Sequence, residues 1–82
     1  MTVDPSLLLN RIALRVRKRR LELGLTQTEL AARMGITQGN ITRIENNPPN
    51  LSIETICKLA EALGMEAEDL LVEKPGRDDE EG

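Results

Sequence analysis

Residues Leu25–Asn46 read LTQTELAARMGITQGNITRIEN. Thr26-Gln27-Thr28-Glu29 has the form of a capping box, in which a hydroxyl and a carboxylate three residues apart satisfy each other's backbone N–H. It opens a short helix with Leu30, Ala31 and Met34 on one side, stopped by Gly35. Thr37 is placed to cap a second helix with Ile41 and Ile44 facing inward. Gly35-Ile36-Thr37 is too short for anything but a tight turn between the two. Two short helices joined in this way form a helix-turn-helix.

The flanks extend the same pattern. Upstream, Asp4-Pro5 reads as an N-cap followed by proline at the first helical position. A helix from there to about Leu23 would turn Leu8 or Leu9, Ile12 and Val16 inward, and Gly24 would end it. Downstream, Asn46-Asn47-Pro48-Pro49-Asn50 breaks the chain, and Pro48 pushes Asn47 out of the helical region. Ser52 can cap a fourth helix carrying Ile53, Ile56, Leu59, Ala60 and Leu63 at helical spacing, with Gly64 as its end. A short fifth helix over about Ala67–Val72 supplies Leu70 and Leu71. Lys74-Pro75-Gly76 is read as the end of order, and the charged residues after it as disordered. No repeat or strand pattern is visible. The expected architecture is all-α, with a five-helix domain over 1–73 and an acidic tail over 74–82.

Composition narrows the function. The chain has 82 residues, room for one domain. It has no Phe, Tyr or Trp, which argues against base stacking of the kind single-strand binders use. It has no His, which removes common zinc sites and histidine acid–base chemistry. Nothing suggests an enzyme, a metal or a cofactor, since no glycine-rich phosphate loop is present either. Glu66, Glu68 and Asp69 do not have calcium-loop spacing and read as complements to the dipole of the fifth helix. The lone Cys57 fits a reducing compartment and reads as a packed thiol. With no secretion signal and no membrane-spanning run, a cytoplasmic location is expected. The net charge of −3 hides an asymmetry: residues 1–65 carry nine basic against six acidic side chains, and residues 66–82 two against eight. Phosphates respond to the local charge, which is mildly basic over the helical region.

The stretch quoted above, with RVRKRRLELG at Arg15–Gly24 before it, resembles the lambda/434 repressor and Cro (Xre) family. Gln27, Ala31, Gly35, Ile41 and Glu45 fall in register together. The resemblance extends to about Leu71 and implies a lambda-repressor-like domain that binds double-stranded DNA as a homodimer on a palindromic operator. The recognition helix, about 38–45, would lie in the major groove. Gln38 would pair with adenine N6 and N7. Gly39 and Asn40 would face the groove beside it, and Arg43 would read guanine or bind phosphate. Gly39 departs from the polar reader common at that position. The phosphate set implied is Arg17, Arg20, Thr26, Gln27, Thr37, Thr42, Asn46 and Asn47, although Pro48 and Pro49 replace the basic residues usual in that loop. Arg20 and Glu45 match a family ion pair between the first and third helices. Leu63, Met65, Leu70, Leu71 and Val72 would form the dimer interface, or else close the monomer core.

Other readings stand beside this one. The basic run Arg15, Arg17, Lys18 and Arg19 could be a solvated face. The segment IENNPPNLSIETICKLAEALGM resembles HipB-type antitoxins, which implies a toxin partner and autoregulation. A protein-interaction module that kept the fold without DNA binding is the third; Gly39, Pro48 and Pro49 allow it, and Gln38, Asn40 and Arg43 argue against it. The acidic tail reads as a solubilising end, with competition for the basic helix as the alternative.

Overall fold

The computed structural model describes residues 4–72. The expected tail, 74–82, lies outside them. Within them are five helices and no strand: α1 (Pro5–Glu22), α2 (Gln27–Met34), α3 (Gln38–Asn46), α4 (Ile53–Ala62) and α5 (Ala67–Leu71). The fold is all-α, as the sequence pattern predicts.

Each helix begins where the chain offers an acceptor for its orphan N–H groups. The Asp4 carboxylate accepts from Ser6 N at 2.9 Å, with Pro5 next to it at the start of α1. Thr26 and Glu29 complete their reciprocal box: Glu29 N donates to Thr26 Oγ1 at 3.0 Å and Thr26 N to Glu29 Oε1 at 2.8 Å. Ser52 Oγ accepts from Thr55 N at 3.0 Å at the head of α4. At the head of α5, Glu66 N donates to the Asp69 carboxylate at 3.3 Å.

The end of α2 sets the turn that positions α3. Gly35 has φ 70°, a left-handed conformation that side chains resist. Its N–H donates to Ala32 O, and Ile36 N–H reaches back to Ala31 O at 3.0 Å. This pair of bonds satisfies two carbonyls while reversing the chain. The same pair closes α1 at Gly24 and α4 at Gly64. One device therefore makes three of the corners.

The core is aliphatic. Ile12 and Val16 of α1, Leu30 and Ala31 of α2, Ile41 and Ile44 of α3, Ile56, Leu59 and Ala60 of α4, then Leu63 and Leu70, form one buried cluster. Helix α1 packs on both α3 and α5, and α2 on both α3 and α4. Met34, Leu8, Met65 and Leu71 are partly buried at its edge.

Three expectations need correction. Leu63 and Leu70 are 0% exposed, so they close the monomer core and are not available to a dimer interface. Cys57 is exposed, because it falls on the outer side of α4, away from Ile56, Leu59 and Ala60. Ile53, one turn before it, is likewise 68% exposed and belongs to the cap end of the helix rather than to its apolar series.

Arginines brace the helix ends. Arg15 Nη1 donates to Leu70 O at 2.9 Å, Arg19 Nε to Leu63 O at 3.0 Å and Arg33 Nη1 to Ala62 O at 3.0 Å. Cations at helix C-termini satisfy orphan carbonyls and oppose the negative end of the dipole. Half of the basic run of α1 thus serves the fold.

Candidate nucleic-acid interface

Helix α3 buries Ile41, Ile44 and Glu45. At 3.6 residues per turn this leaves Gly39, Thr42, Arg43 and Asn46, at i, i+3, i+4 and i+7, on the outward side. Gln38 lies at one edge of that side and Asn40 at the other. Gln38, Gly39, Asn40 and Arg43 are all exposed, and Thr42 is half-buried. Beyond the helix, Asn46 and Asn47 are exposed, while Pro48 and Pro49 are half-buried. The four residues expected to read bases are therefore brought to one surface.

Gly39 has open space where a side chain would stand. A Cβ there would meet only Thr37 Oγ1, at 3.9 Å. Its φ is not positive, so no backbone strain demands glycine.

Behind this surface sits a buried ion pair. Arg20 Nε donates to Glu45 Oε2 at 2.7 Å and Arg20 Nη2 to Glu45 Oε1 at 3.0 Å. This bidentate geometry matches the guanidinium fork to the carboxylate. Arg20 Nη1 also donates to Leu25 O at 2.8 Å, fixing the turn before α2. The side chains are 9% and 1% exposed. Hydrogen bonding to Glu45, against the opposing effect of burial, raises the Arg20 pKa above its ordinary value. Arg20 serves first as an internal brace; any phosphate contact has only its uncommitted N–H hydrogens and a 7% exposed residue to act through.

The ion pair connects to the recognition surface. Gln27 Nε2 donates to Glu45 Oε1 at 3.1 Å. An ionised carboxylate only accepts, so this contact fixes which way the Gln27 amide points. Its Oε1 is turned to α3, where it accepts from Gln38 Nε2 at 2.9 Å and from Thr42 Oγ1 at 2.9 Å. Gln38 Nε2 also donates to Thr42 Oγ1 at 2.9 Å. Both amide hydrogens of Gln38 are thereby used, and no hydrogen bond from the described residues occupies its Oε1. The order runs Arg20, Glu45, Gln27, Gln38, from core to tip. The Arg20–Glu45 pair is the one the resemblance implies; the links onward through Gln27 to Gln38 depend on how α2 packs on α3, and their signal in the sequence is the placement of both glutamines directly after the capping threonines.

The remaining positions divide by location. Thr26 and Thr37 are exposed caps at the heads of α2 and α3, with Thr37 Oγ1 accepting from Asn40 N at 3.3 Å. Gln27 is half-buried between the helices. Arg17 is exposed on α1, and among the described residues no carboxylate lies within ion-pairing distance of it. Helix N-termini carry unpaired N–H groups and partial positive charge, which suits them to phosphate. No group of residues suited to a metal occurs among those described, and no helix there is long and apolar enough to cross a membrane.

Comparison with known proteins bears on this surface. Residues 16–70 match a family model described as "Helix-turn-helix". A 42-residue stretch is 45% identical to the antitoxin HipB of Escherichia coli O6:H1, covering 51% of this chain and 45% of that protein. The chain spans about half the length of the HipB relatives it matches. An HTH-type transcriptional regulator of Methanothermobacter thermautotrophicus is 41% identical over 58 residues, 70% of this chain and 84% of the relative. Among solved structures, the restriction-modification controller protein C.AhdI from Aeromonas hydrophila superposes with a TM-score of 0.75 at 32% identity, covering 83% of this chain and 99% of that one.

Proposed function

This chain belongs to the helix-turn-helix family of the lambda-repressor (Xre) type, whose members are DNA-binding transcription regulators, and from that premise we propose that it binds a palindromic operator in duplex DNA as a homodimer. The family and these neighbours are regulators, not enzymes. The observation that carries the proposal is the hydrogen-bonded chain from the Arg20–Glu45 pair through Gln27 to Gln38. It holds an amide at the tip of an exposed helix before any DNA arrives. Preorganisation of this kind lowers the entropy lost on binding.

In the proposed complex α3 lies in the major groove. Gln38 Oε1 accepts from adenine N6, and its Nε2 donates to N7. Since both of its amide hydrogens are engaged in the free protein, reading adenine means exchanging one partner, Thr42 or Gln27, for N7. The Thr42 hydroxyl already donates to Gln27 Oε1 at 2.9 Å, so Gln27 keeps a donor when Gln38 turns away. Arg43, one turn along, takes guanine or phosphate. Gly39 leaves room for close approach of the backbone. Arg17, the heads of α2 and α3 with Thr26 and Thr37, Gln27, Thr42, Asn46 and Asn47 contact the sugar-phosphate backbone. The dimer contact falls to Met65, Leu71 and Val72. Val72 is 59% exposed, and the other two are partly so.

Fluorescence titration against a labelled duplex and a matching single strand, over a series of salt concentrations, tests this. Duplex preference is expected, with two protomers bound per operator. The log of affinity should fall against log salt with a slope of about −0.9 for each phosphate neutralised. Equal binding to single strands, or affinity indifferent to salt, would overturn it.

A second reading rests on the HipB match. In it the chain also binds a toxin and represses its own operon. The 45% identity over 42 residues supports it. It keeps the same DNA surface and adds a protein partner.

A further inference from the structure

We propose that the outward face of α1 is a docking strip for an amphipathic helix of a partner protein whose apolar seam is bordered by Asp and Glu. Helix α1 is apolar on two sides. Ile12 and Val16 face the core, and α3 and α5 cover that side. Opposite them stand Leu7, Leu14 and Leu21, which are 49%, 67% and 58% exposed. Single exposed leucines are ordinary on protein surfaces. These three differ because they repeat at seven residues and so fall on one line, roughly 21 Å long at 1.5 Å per residue. The line drifts by only about 20° per heptad, so it is a narrow seam rather than a broad apolar face.

Its borders are cationic. Arg11 and Lys18 stand at i+4 from Leu7 and Leu14, and Asn10 and Arg17 at i+3. All four are exposed. No carboxylate among the described residues lies within ion-pairing distance of Arg11, Arg17 or Lys18. Residues at such flanking positions choose a helix's partner by charge.

The borders decide the occupant. A second copy laid on the strip would bring Arg11, Arg17 and Lys18 against the same residues of its partner, and like charges at helix flanks repel. The chain's own acidic segment, 73–82, has the right charge but reads EKPGRDDEEG, with no aliphatic or aromatic side chain to cover leucine. A lipid surface calls for a broad apolar face with large anchoring side chains, and the chain has no aromatic residue. A helix with one apolar seam and acidic borders satisfies both the leucines and the cations. The leucine seam lies on the side of α1 away from Ile12 and Val16; of its borders Arg17 is shared with the proposed DNA contact, and Leu7, Leu14, Leu21, Arg11 and Lys18 are not.

The test uses the full chain and a labelled synthetic helix with Leu at every seventh position, Glu three and four residues after each Leu, and Ala elsewhere. A control peptide carries Lys for Glu. Binding is read by fluorescence anisotropy at low and high salt. The Glu peptide is expected to bind, more weakly as salt rises, and the Lys peptide not to bind. Leu14→Gln should weaken the Glu peptide about tenfold or more, from the loss of one buried leucine, while leaving affinity for DNA unchanged. Reversing Arg11 and Lys18 to Glu should transfer preference to the Lys peptide. The inference fails if neither peptide binds, if both bind alike, or if Leu14→Gln has no effect. It also fails if Leu14→Gln changes the number of protomers in solution, which would assign the strip to a second copy. Loss of binding to phosphatidylglycerol vesicles in that variant, with no peptide bound by the parent, would assign it to lipid.

Discussion

Replacing Glu45 by Ala should be among the most damaging single changes in this protein. The carboxylate is 1% exposed and takes two hydrogen bonds from Arg20 and one from Gln27. Without it the Arg20 guanidinium stays buried, with only Leu25 O as acceptor. Removing one member of a buried pair costs about 3–5 kcal/mol. A chain of this length has a stability on the order of 4–12 kcal/mol, at roughly 0.05–0.15 kcal/mol per residue. The substitution should therefore remove about a quarter or more of it. Urea unfolding followed by far-UV circular dichroism reads this as a lower midpoint with an unchanged slope. Replacing both partners by apolar residues, Arg20→Met with Glu45→Leu, should recover most of the loss, because no charge is then stranded. A cost below about 1 kcal/mol for Glu45→Ala, the value of an exposed pair, would refute the reasoning. So would a double variant no more stable than the single one. The pair should also be insensitive to mild alkali. Arg20 has a raised pKa in the folded state, so its contribution is present below the ordinary guanidinium value and is lost only as pH rises through the raised one.

Gly39→Ala should stabilise the free protein by about 0.5–1 kcal/mol, since the position is helical and its Cβ meets only Thr37 Oγ1 at 3.9 Å; thermal unfolding measures it, and a loss of stability would refute this reading of the site. If glycine is there for close approach to the groove, the same variant should bind operator more weakly in the titration described above. Leu63→Ala and Leu70→Ala should each cost about 2–5 kcal/mol as core deletions, whereas Val72→Ala should change monomer stability by less than about 0.5 kcal/mol and act on dimerisation instead. Sedimentation equilibrium separates the two effects, and an unchanged dimer constant in Val72→Ala would remove that residue from the interface.

The elements were legible because their signals are local. Capping residues sit at Asp4, Thr26, Thr37 and Ser52, and glycines close α1, α2 and α4, so boundaries followed from chemistry within a few residues of each end. The exposed reading face was legible too, since Ile41 and Ile44 fix which side of α3 turns inward. What the sequence concealed depends on the packing of one helix on another. Leu63 and Leu70 look the same in sequence whether they close a core or face a partner; only the placement of α5 against α1 decides. In sequence Arg15 and Arg19 form one basic run with Arg17 and Lys18, yet they reach Leu70 O and Leu63 O. Their spacing held a clue, for Arg15 and Arg19 fall at i+3 and i+7 from the buried Ile12 and so share its side of α1. Cys57 sits among apolar neighbours in sequence, although Ile56 and Leu59 already fix the inner face of α4 one step away from it.

The most direct test is selection of binding sites from random duplex DNA, run in parallel on the parent chain and on Gln38→Ala at one stated salt concentration. The parent should enrich a palindrome with half-sites about 34 Å apart, one helical turn, with an adenine specified in each half-site. Gln38→Ala should keep the spacing and lose preference at that adenine, a penalty of about 1–3 kcal/mol in the parent's discrimination. No enrichment by the parent, or the same preferred sequence from both proteins, would contradict the assignment of α3 as the reading helix with Gln38 at its tip.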